Sequence, residues 1–311
     1  MYVTIFDKGY AARGIVMINS LLRFCPDSFV TILCLDLESE LACEQVGMAG
    51  NTRIVRPAQL GMGLIASIRR DREYREFCWT LGAVLCRHFL REGVEEVVYL
   101  DADICFFGNP LIPLEEARGG DVAAVEHRFP ARLKKFEKNG VYNVQWVYFR
   151  NSEIGLKAAE RWANQCIANC RYDPDNGVVG DQKYLDEWPN LYPTFVSITC
   201  LGAGVAPWNH EAMRPRNVNG KWVVGNETEL VFYHFHGLKI NEDGVVQLSG
   251  PVYTEVADLP LTLYMEYIGM IADVERKIGN LTGTRDPSFW RVATTGRIGR
   301  IRAALAAKVA G

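Results

Sequence analysis

The sequence predicts an α/β protein: a layered domain built on a mainly parallel mixed sheet, followed by a helical C-terminal appendage. Three observations support this fold class. Short apolar runs alternate with segments of helical periodicity, which is the pattern of strands joined by crossover helices. Several of these apolar runs end on an acid. The chain has 311 residues, of which 49% are hydrophobic, so it can bury a substantial core.

The first half of the chain shows the alternation most clearly. Residues 2–6 form an apolar strand, and GIVMINSLLRF then carries apolar residues at helical spacing until Pro26. A second strand, FVTILCLD, spans residues 29–36, and an amphipathic helix over residues 81–90 leads into the strand VEEVVYL. This order of elements favours parallel strands with helices between them.

The second half adds further elements of both kinds. A strand is predicted over residues 142–150, and a helix capped by Ser152 follows it. A late strand spans residues 231–237, and the chain becomes helical again after Pro260.

The overall charge and the cysteine pattern exclude several classes of protein. A formal net charge of −3 and a pI near 6.0 give no general attraction to nucleic acid. The sequence has no apolar run near the ~18 residues that a membrane-spanning helix needs. Its N-terminus begins directly with a strand rather than with a signal peptide. The nine cysteines contain no CxxC pair, which favours reduced thiols in a cytoplasmic protein.

One strand, in the segment EEVVYLDADICFFGNP, ends on two acids with a single residue between them. Asp101 and Asp103 repel each other unless a cation or hydrogen-bond donors hold them. Carboxylates at this spacing can both turn toward one Mg²⁺ or Mn²⁺ ion, and an ordinary polar turn is the alternative. Asp7 and Asp36 also follow strands, and ligands of parallel sheets bind at the carboxyl ends of strands.

The segment VVYLDADICFF resembles the D-x-D signature of the nucleotide-diphospho-sugar glycosyltransferases with a single GT-A (Rossmann-like) domain. The family that it resembles most is family 8, which includes glycogenin-like and bacterial lipopolysaccharide galactosyltransferases. YNVQWVYFRN is similar to the N-x-G segment of this family, with Gln145 in place of the glycine. GDQKYLDEW and YHFHGLK are similar to its D-Q and H-x-x-G-x-x-K segments, in the same order along the chain.

The resemblance implies a role for each matched residue. It implies a metal site, for Mn²⁺ or Mg²⁺, formed by Asp101, Asp103 and His234. It implies that Asp181 and Gln182 lie near the reacting carbon, as the catalytic pair. It implies nucleotide-sugar contacts from Phe6, Asp7, Tyr10, Asp101, Ala102, Asn143, Gly237 and Lys239.

Several alternatives stay open at this point. His234 has the ligand spacing to Gly237, and we expect His236 to lie on the opposite face of the strand, where it meets substrate or packs. Asp181 is either catalytic or the N-cap of the helix that follows it. Trp208 either stacks on a sugar or packs within its loop.

One departure from the family concerns the helix before the D-x-D strand. Related enzymes carry a basic residue there that contacts the donor, whereas this sequence has none over residues 79–85. Gly82 lies near the expected position. Arg69, Arg70 or Arg87 could take its place.

The leading hypothesis is a metal-dependent glycosyltransferase. It would move a hexose from a nucleotide diphosphate sugar, with a UDP-sugar favoured, to a glycan or lipid-linked acceptor in cell-envelope polysaccharide synthesis, and the resemblance implies retention. A sugar-nucleotide pyrophosphorylase is the first alternative, but DKGYAARG has the wrong glycine spacing for its phosphate loop. A sugar-nucleotide-binding relative without catalysis is the second.

The predicted domain covers residues 1–258, and the helical, basic appendage covers residues 259–311. From Arg285 to the end there are six basic residues against one acid. The apolar residues that share one predicted helical face in this tail are Ile298, Ile301, Leu305 and Val309. A basic amphipathic helix is typical of an interfacial anchor, and packing on the domain is the alternative. We therefore predict a cytoplasmic protein, with peripheral contact to the inner face of the cytoplasmic membrane as a further hypothesis.

Overall fold

The structure, a computed structural model, describes residues 1–250, 259–283, 286–294 and 297–299. In these ranges the α-helices are α1 (Ala11–Phe24), α2 (Leu37–Val46), α3 (Met62–Arg70), α4 (Tyr74–Arg91), α5 (Leu111–Ala117), α6 (Glu153–Ala168), α7 (Trp188–Leu191), α8 (His210–Met213) and α9 (Leu261–Ile278). The strands of the first half are β1 (Tyr2–Phe6), β2 (Val30–Cys34), β3 (Thr52–Val55), β4 (Glu96–Leu100), β5 (Ile104–Phe106), β6 (Val122–Glu126) and β7 (Tyr142–Arg150). Those of the second half are β8 (Tyr172–Asp173), β9 (Val178–Val179), β10 (Phe195–Ser197), β11 (Arg216–Val218), β12 (Lys221–Val224), β13 (Thr228–Glu229), β14 (Phe232–His234), β15 (Lys239–Ile240), β16 (Val245–Gln247), β17 (Arg291–Thr294) and β18 (Arg297–Gly299).

Seven strands form the central sheet, in the order β10-β6-β7-β4-β1-β2-β3. Strand β7 runs antiparallel to its neighbours β4 and β6, and the other neighbouring pairs in this sheet are parallel. The predicted fold class, an α/β protein with a mainly parallel mixed sheet, is therefore confirmed. Because β1, β2 and β4 run in the same direction, the residues that follow them lie at one edge of the sheet.

Apolar side chains cover the sheet on both faces. Helices α1 and α9 contribute to one apolar layer, and α4 and α6 contribute to the other. Strands β1 and β2, YVTIF and VTILC, are consequently buried along their whole length. Burial on both faces explains why these strands read as continuous apolar runs rather than as an alternating pattern.

The predicted elements are found, and several of them differ in length. The strands predicted over residues 2–6 and 142–150 have the predicted bounds. The helix predicted over residues 81–90 begins earlier, at Tyr74, because the preceding residue forms a reciprocal capping box with the first turn. Strand β14 covers only the middle of the late strand predicted over residues 231–237.

Helix α9 packs against α1 and α2. Its buried residues include Tyr264 and Tyr267. The Tyr267 ring stacks on Phe235, with the ring centroids 3.8 Å apart and the planes 11° from parallel. Helix α9 thus supports the segment that follows β14. The domain boundary predicted at residue 258 lies outside the described residues.

In the part of the basic tail that the structure describes, a short 3-10 helix (Pro287–Phe289) is followed by two strands. Strand β17 pairs with β16 in parallel and with β18 in antiparallel orientation. Ile298 lies in β18, so the helix prediction is wrong at this position. Ile301, Leu305 and Val309 lie outside the described residues. None of the helices that the structure describes is long and apolar enough to cross a membrane.

Candidate active site

The two acids that follow β4 lie beside a histidine from the distant strand β14. After Asp101 and the buried Ala102 the chain enters β5, and the antiparallel pairing of β5 with β14 sets His234 opposite Ile104. The His234 Nε2 atom is 3.0 Å from Oδ1 of Asp103 and 3.9 Å from Oδ2 of Asp101. One ligand atom from each of the three residues lies within 4.8 Å of the other two. The structure therefore brings the three predicted metal ligands together.

The three side chains of this group differ in their affinity for protons. Burial is the main cause that raises the pKa of Asp101 to about 6. Burial also opposes ionisation of Asp103, but attraction and a hydrogen bond to His234 outweigh it and lower the pKa of Asp103 to about 2. Although burial acts to lower the pKa of His234, the same pairing raises it. The imidazolium thus balances one carboxylate, and ionisation of Asp101 leaves the group with a net negative charge.

This group fits a divalent cation. Two carboxylates and an imidazole are oxygen and nitrogen ligands of the kind that Mn²⁺ accepts. The His234 ring turns Nε2 toward both acids, while Nδ1 is buried and has no hydrogen-bond partner within the described part of the chain. Nε2 is therefore the nitrogen that would bind the metal, which would replace the ion pair with Asp103.

A tyrosine ring explains the absence of a basic residue on α4 near the acids. Burial, and after it the charge of Asp101, raises the pKa of Tyr99, and the Tyr99 ring packs against Gly82. A Cβ atom at position 82 would lie 2.9 Å from this ring. A longer side chain there would displace Tyr99, so in this chain the aromatic ring takes the space where the family led us to expect a lysine.

The three arginines considered as substitutes lie in different places. Arg87 donates a hydrogen bond to a side chain of α6. Arg70 is exposed in the last turn of α3. The Arg69 guanidinium lies 5.6 Å from the centroid of the Tyr74 ring, and burial, followed by the charge of Asp7, raises the pKa of Tyr74. Arg69 is therefore the arginine on the side of the predicted base-binding turn.

The predicted base-binding residues form a turn before α1. The Asp7 Oδ1 atom accepts a hydrogen bond from the backbone nitrogen of Tyr10 at 3.1 Å. The Tyr10 side chain is 45% exposed. The negative charge of Asp103 is the main cause that raises the pKa of Tyr10 to about 12. The Phe6 ring is buried against Gly14, so this side chain cannot reach a nucleotide.

Arg13 is a polar residue of the site that the sequence analysis missed. Its side chain lies on the buried face of α1, and its Nη1 atom donates to the carbonyl oxygen of Gly9 at 2.7 Å. Nη2 lies 3.3 Å from the carbonyl oxygen of Leu238, to which it donates. Arg13 thus links the base-binding turn to the segment after β14. An arginine on an otherwise apolar helix face is a signal from which it could have been found.

A second polar group, the amide cluster, consists of His127, Asn143 and Gln182. The Asn143 Nδ2 atom lies 2.9 Å from Nε2 of His127 and 3.2 Å from Oε1 of Gln182. The Asn143 Oδ1 atom accepts from the backbone nitrogen of Gln145 at 2.9 Å. The structure therefore brings Asn143, a predicted nucleotide-sugar contact, together with Gln182, which was predicted to lie near the reacting carbon. His127 was missed, and no motif in the sequence marks it.

Asp181 is buried immediately before Gln182. It occupies the N-cap position of the short 3-10 helix Gln182–Glu187, as one alternative had it, but its side chain makes no capping hydrogen bond. Burial is the main cause, and the charge of Asp101 the second, that raise the pKa of Asp181 to about 8. The Asp181 carbonyl oxygen accepts from Nε1 of Trp162 at 3.0 Å, which fixes the loop. A carboxyl group that stays protonated near pH 7 beside other acids is typical of functional sites.

The remaining predicted contacts follow β14. Gly237 has a φ of +75°, and a Cβ atom there would lie 2.6 Å from the backbone nitrogen of Gly250. Its own loop thus requires this glycine. Lys239 is exposed at the start of β15. The rings of His234 and His236 are 5.4 Å apart. The prediction that His236 lies on the opposite face of the strand is wrong, because β14 ends at His234 and His236, in the turn that follows, brings its ring against that of His234.

Of the two alternatives for Trp208, the structure has the packed one. The Trp208 side chain is only 2% exposed. Its ring centroid lies 5.1 Å from that of His127 and 5.3 Å from that of His234. Trp208 therefore connects the amide cluster to the group of predicted metal ligands.

These features define a class of protein. A mainly parallel sheet, with paired acids and an imidazole at the carboxyl end of a central strand, is the arrangement of GT-A nucleotide-sugar glycosyltransferases. The family model for nucleotide-diphospho-sugar transferases matches residues 27–187, slightly more than half of the chain. The chain belongs to this family and is a glycosyltransferase, which confirms the resemblance seen in the sequence.

The chain is also similar to several individual proteins. YfnF of Bacillus subtilis (strain 168), described as an uncharacterized protein, is 28% identical over 250 residues, which cover 77% of this chain and 82% of YfnF. YfnD of the same organism, also described as uncharacterized, is 25% identical over 285 residues and 90% of each chain. The apo structure of the bifunctional glycosyltransferase WbbM covers 89% of this chain and 51% of its own, with a TM-score of 0.51 and 14% identity. This last similarity concerns the fold alone.

Proposed function

We propose that this protein is a metal-dependent hexosyltransferase. It moves a hexose from a nucleotide diphosphate sugar, with a UDP-sugar as the favoured donor, to a glycan or lipid-linked acceptor, and it retains the anomeric configuration. The observation that carries this proposal is the convergence of Asp101, Asp103 and His234 after β4. They lie at the edge of the sheet where ligands of parallel α/β sheets bind.

The proposed cation is Mn²⁺, with Mg²⁺ as the alternative. An imidazole beside two carboxylates suits Mn²⁺ better than Mg²⁺, which prefers oxygen ligands and retains much of its water. When bound, such a cation neutralises the diphosphate and stabilises it as a leaving group.

The donor is proposed to lie across the turn before α1 and the amide cluster. Asp7 and Tyr10 would contact the base, and Asn143 would contact the sugar. The exposed ring of Tyr10, close to the charge of Asp103, supports this placement. Lys239, which is exposed and follows β14, would contact the diphosphate. Arg13 would hold the backbone on both sides of this site.

The transfer step breaks the bond between the anomeric carbon and a diphosphate oxygen and forms a bond to an acceptor hydroxyl. With retention, the acceptor approaches the face that the diphosphate leaves, so the departing oxygen can take the hydroxyl proton. A strongly basic side chain is then not required. Asp181, which burial keeps protonated near pH 7, and Gln182 would line the acceptor side and orient the reacting groups.

We propose a thermal-shift screen of UDP-, GDP- and CDP-hexoses, with and without Mn²⁺, to test this function. A ligand at 100 times its dissociation constant stabilises the fold by about 2.7 kcal/mol. One donor class should stabilise the protein only when Mn²⁺ is present, and Mn²⁺-dependent hydrolysis of that donor should follow. Asp101→Asn should abolish both responses, whereas Asp27→Asn, at an exposed turn before β2, should keep them.

Other outcomes would favour the alternatives. Donor binding without hydrolysis or transfer would indicate a sugar-nucleotide-binding relative without catalysis. Formation of a nucleoside triphosphate from the donor and pyrophosphate would indicate a pyrophosphorylase.

We further propose that the acceptor is used at an anionic membrane surface, at the inner face of the cytoplasmic membrane. The sequence carries Arg300, Arg302 and Lys308 near its end. Each basic residue close to an anionic bilayer contributes about 1 kcal/mol. Trp290 is buried, so removal of the whole tail would also remove a residue of the core. The test should therefore use a chain that ends after residue 299. The full chain should bind vesicles that contain phosphatidylserine in a salt-sensitive manner, and equal partitioning of the shortened chain would contradict the proposal.

A further inference from the structure

His127 lies just after β6, at the centre of an aromatic group. It is 5% exposed, and its ring stacks on Phe129 with the ring centroids 4.7 Å apart and the planes 10° from parallel. Trp208 packs against it from a second direction. Burial is the main cause that lowers the pKa of His127 to about 3, so the ring is neutral in the ordinary pH range.

The hydrogen bonds of the neighbouring groups determine which nitrogen of His127 carries the proton. The Nδ1 atom lies 3.1 Å from the carbonyl oxygen of Val141, which can only accept. Nδ1 therefore donates, and Nε2 of the neutral ring is an acceptor. On the other side, the backbone nitrogen of Gln145 donates to Oδ1 of Asn143. This bond independently turns the Asn143 Nδ2 atom toward His127, as donor to Nε2.

The same reasoning extends to Gln182. The Asn143 Nδ2 atom donates its second hydrogen to Oε1 of Gln182 at 3.2 Å. The Gln182 Nε2 atom donates to the carbonyl oxygen of Asn139 at 2.8 Å. Both ends of the Gln182 amide are thus assigned. Reversal of either amide would place two donors or two acceptors against each other.

We propose that His127 is a positioning residue of the glycosyl-transfer site. Through Asn143 it fixes the direction in which Gln182 presents its amide oxygen, whose second lone pair remains for the sugar or the acceptor. The inference rests on the proposed function, because the orientation of Asn143 and Gln182 affects a rate only if transfer occurs beside them. A dipole that is oriented before the reaction stabilises developing charge without reorganisation at that moment.

Two substitutions separate positioning from packing. His127→Phe keeps an aromatic ring for Phe129 and Trp208 but removes the acceptor. His127→Gln removes the ring but can place an amide oxygen near Nε2. Positioning predicts that His127→Phe lowers kcat by about tenfold to a hundredfold, leaves the affinity for UDP and Mn²⁺ unchanged, and is partly rescued in His127→Gln. Normal kcat in His127→Phe, with the greater loss in His127→Gln, would overturn the proposal.

A second measurement does not depend on turnover. ¹⁵N NMR of the imidazole should show the neutral tautomer with the proton on Nδ1 between pH 5 and pH 8, since the pKa is about 3. The side-chain amide signals of Asn143 and Gln182 should shift in His127→Phe. A proton on Nε2, or unchanged amide signals, would overturn the role of His127 while leaving the transferase proposal intact. Failure of the wild-type protein to turn over any UDP-, GDP- or CDP-hexose would instead overturn the proposed function and, with it, the role of His127.

Discussion

Acids follow both β2 and β4 at the same edge of the sheet, but they have different kinds of partner. After β2, Asp36 caps α2: its Oδ1 atom accepts from the backbone nitrogen of Ser39 at 2.9 Å, and its Oδ2 atom accepts from that of Lys8 at 3.0 Å. Each carboxylate oxygen of Asp36 therefore has a backbone donor. A helix N-terminus stabilises such a charge without any ligand.

The acids that follow β4 are held by ionisable side chains instead. Asp103 pairs with the buried imidazole of His234, and Asp101 is partly buried beside them, which raises its pKa to about 6. The acids after β4 thus have ionisable partners and form the candidate metal site, whereas Asp36 has backbone partners and caps a helix. The predictions below test this distinction.

The largest expected effect is on catalysis. Asp101→Asn should lower Mn²⁺-dependent transfer by about a thousandfold or more, because the group loses the charge that would hold a divalent cation. The fold should survive, since the amide has the size of the carboxyl group and carries no charge that burial penalises. Steady-state kinetics and circular dichroism would measure the two effects.

Asp36→Asn is the matched control for this change. It removes one negative charge from the same edge of the sheet, yet asparagine is as good an N-cap as aspartate. Its transfer rate should stay near that of the wild type. Near-normal turnover in Asp101→Asn, or an equal loss in both variants, would contradict the distinction between the two strand ends.

The next effect is on metal affinity. His234→Ala should weaken the binding of Mn²⁺ in the presence of UDP by about tenfold to a hundredfold, because it removes the nitrogen that faces both acids. His236→Ala should weaken it less, although the two rings are 5.4 Å apart. Calorimetric titration would compare them. A greater loss in His236→Ala would show that the wrong imidazole has been assigned to the site.

Much of the fold and part of the site could be predicted from the sequence. The bounds of β1 and β7 were predicted correctly, although Asn143 and Gln145 interrupt the apolar residues of β7, and the acids after β4 were visible as a motif. Pairing of β5 with β14 was not visible, because it joins segments more than a hundred residues apart in sequence. His234 was found through resemblance to a family rather than through any local pattern.

The residues that were missed depend on tertiary packing. His127 enters the amide cluster because β6 pairs with β7 through an irregular register between Ala124 and Val125. Gly82 looked like a lost basic residue, but the structure shows that it makes room for Tyr99. In both cases the chemistry of the residue is set by a neighbour that is distant in sequence.

Asp181 extends the comparison to an acid that is buried in a loop rather than placed at a strand end. Asp181 has a pKa of about 8 in the folded protein, against about 3.9 in an unfolded chain. A pKa that is higher in the folded state gives stability that is fully present below the unfolded value and is lost as pH rises to the folded value. Asp181→Asn removes this loss. Its free energy of unfolding should exceed that of the wild type by at least about 2 kcal/mol at pH 8, and by less toward pH 4.

Urea unfolding of the metal-free protein at several pH values would measure this effect. Asp175→Asn, at an exposed position in the preceding loop, is the control for removal of one acid. Transfer should fall in Asp181→Asn while stability rises, which is the expected combination for a carboxyl group kept in place for function. A stability difference that stays constant from pH 4 to pH 8 would contradict the raised pKa.

The smallest expected effect is at Asp36, the acid that follows β2 and caps α2. Asp36→Ala should lower the free energy of unfolding by about 1 kcal/mol, because the backbone nitrogen of Ser39 loses its capping acceptor. Lys8 also loses its acceptor, so the turn that carries Asp7 and Tyr10 should loosen and KM for the donor should rise slightly. The value of kcat should stay unchanged, because no group near the reacting atoms is altered.

Asp36→Asn should retain most of the stability. A loss of kcat in Asp36→Ala comparable to that in Asp101→Asn would mean that the acid after β2 belongs to the active site as well.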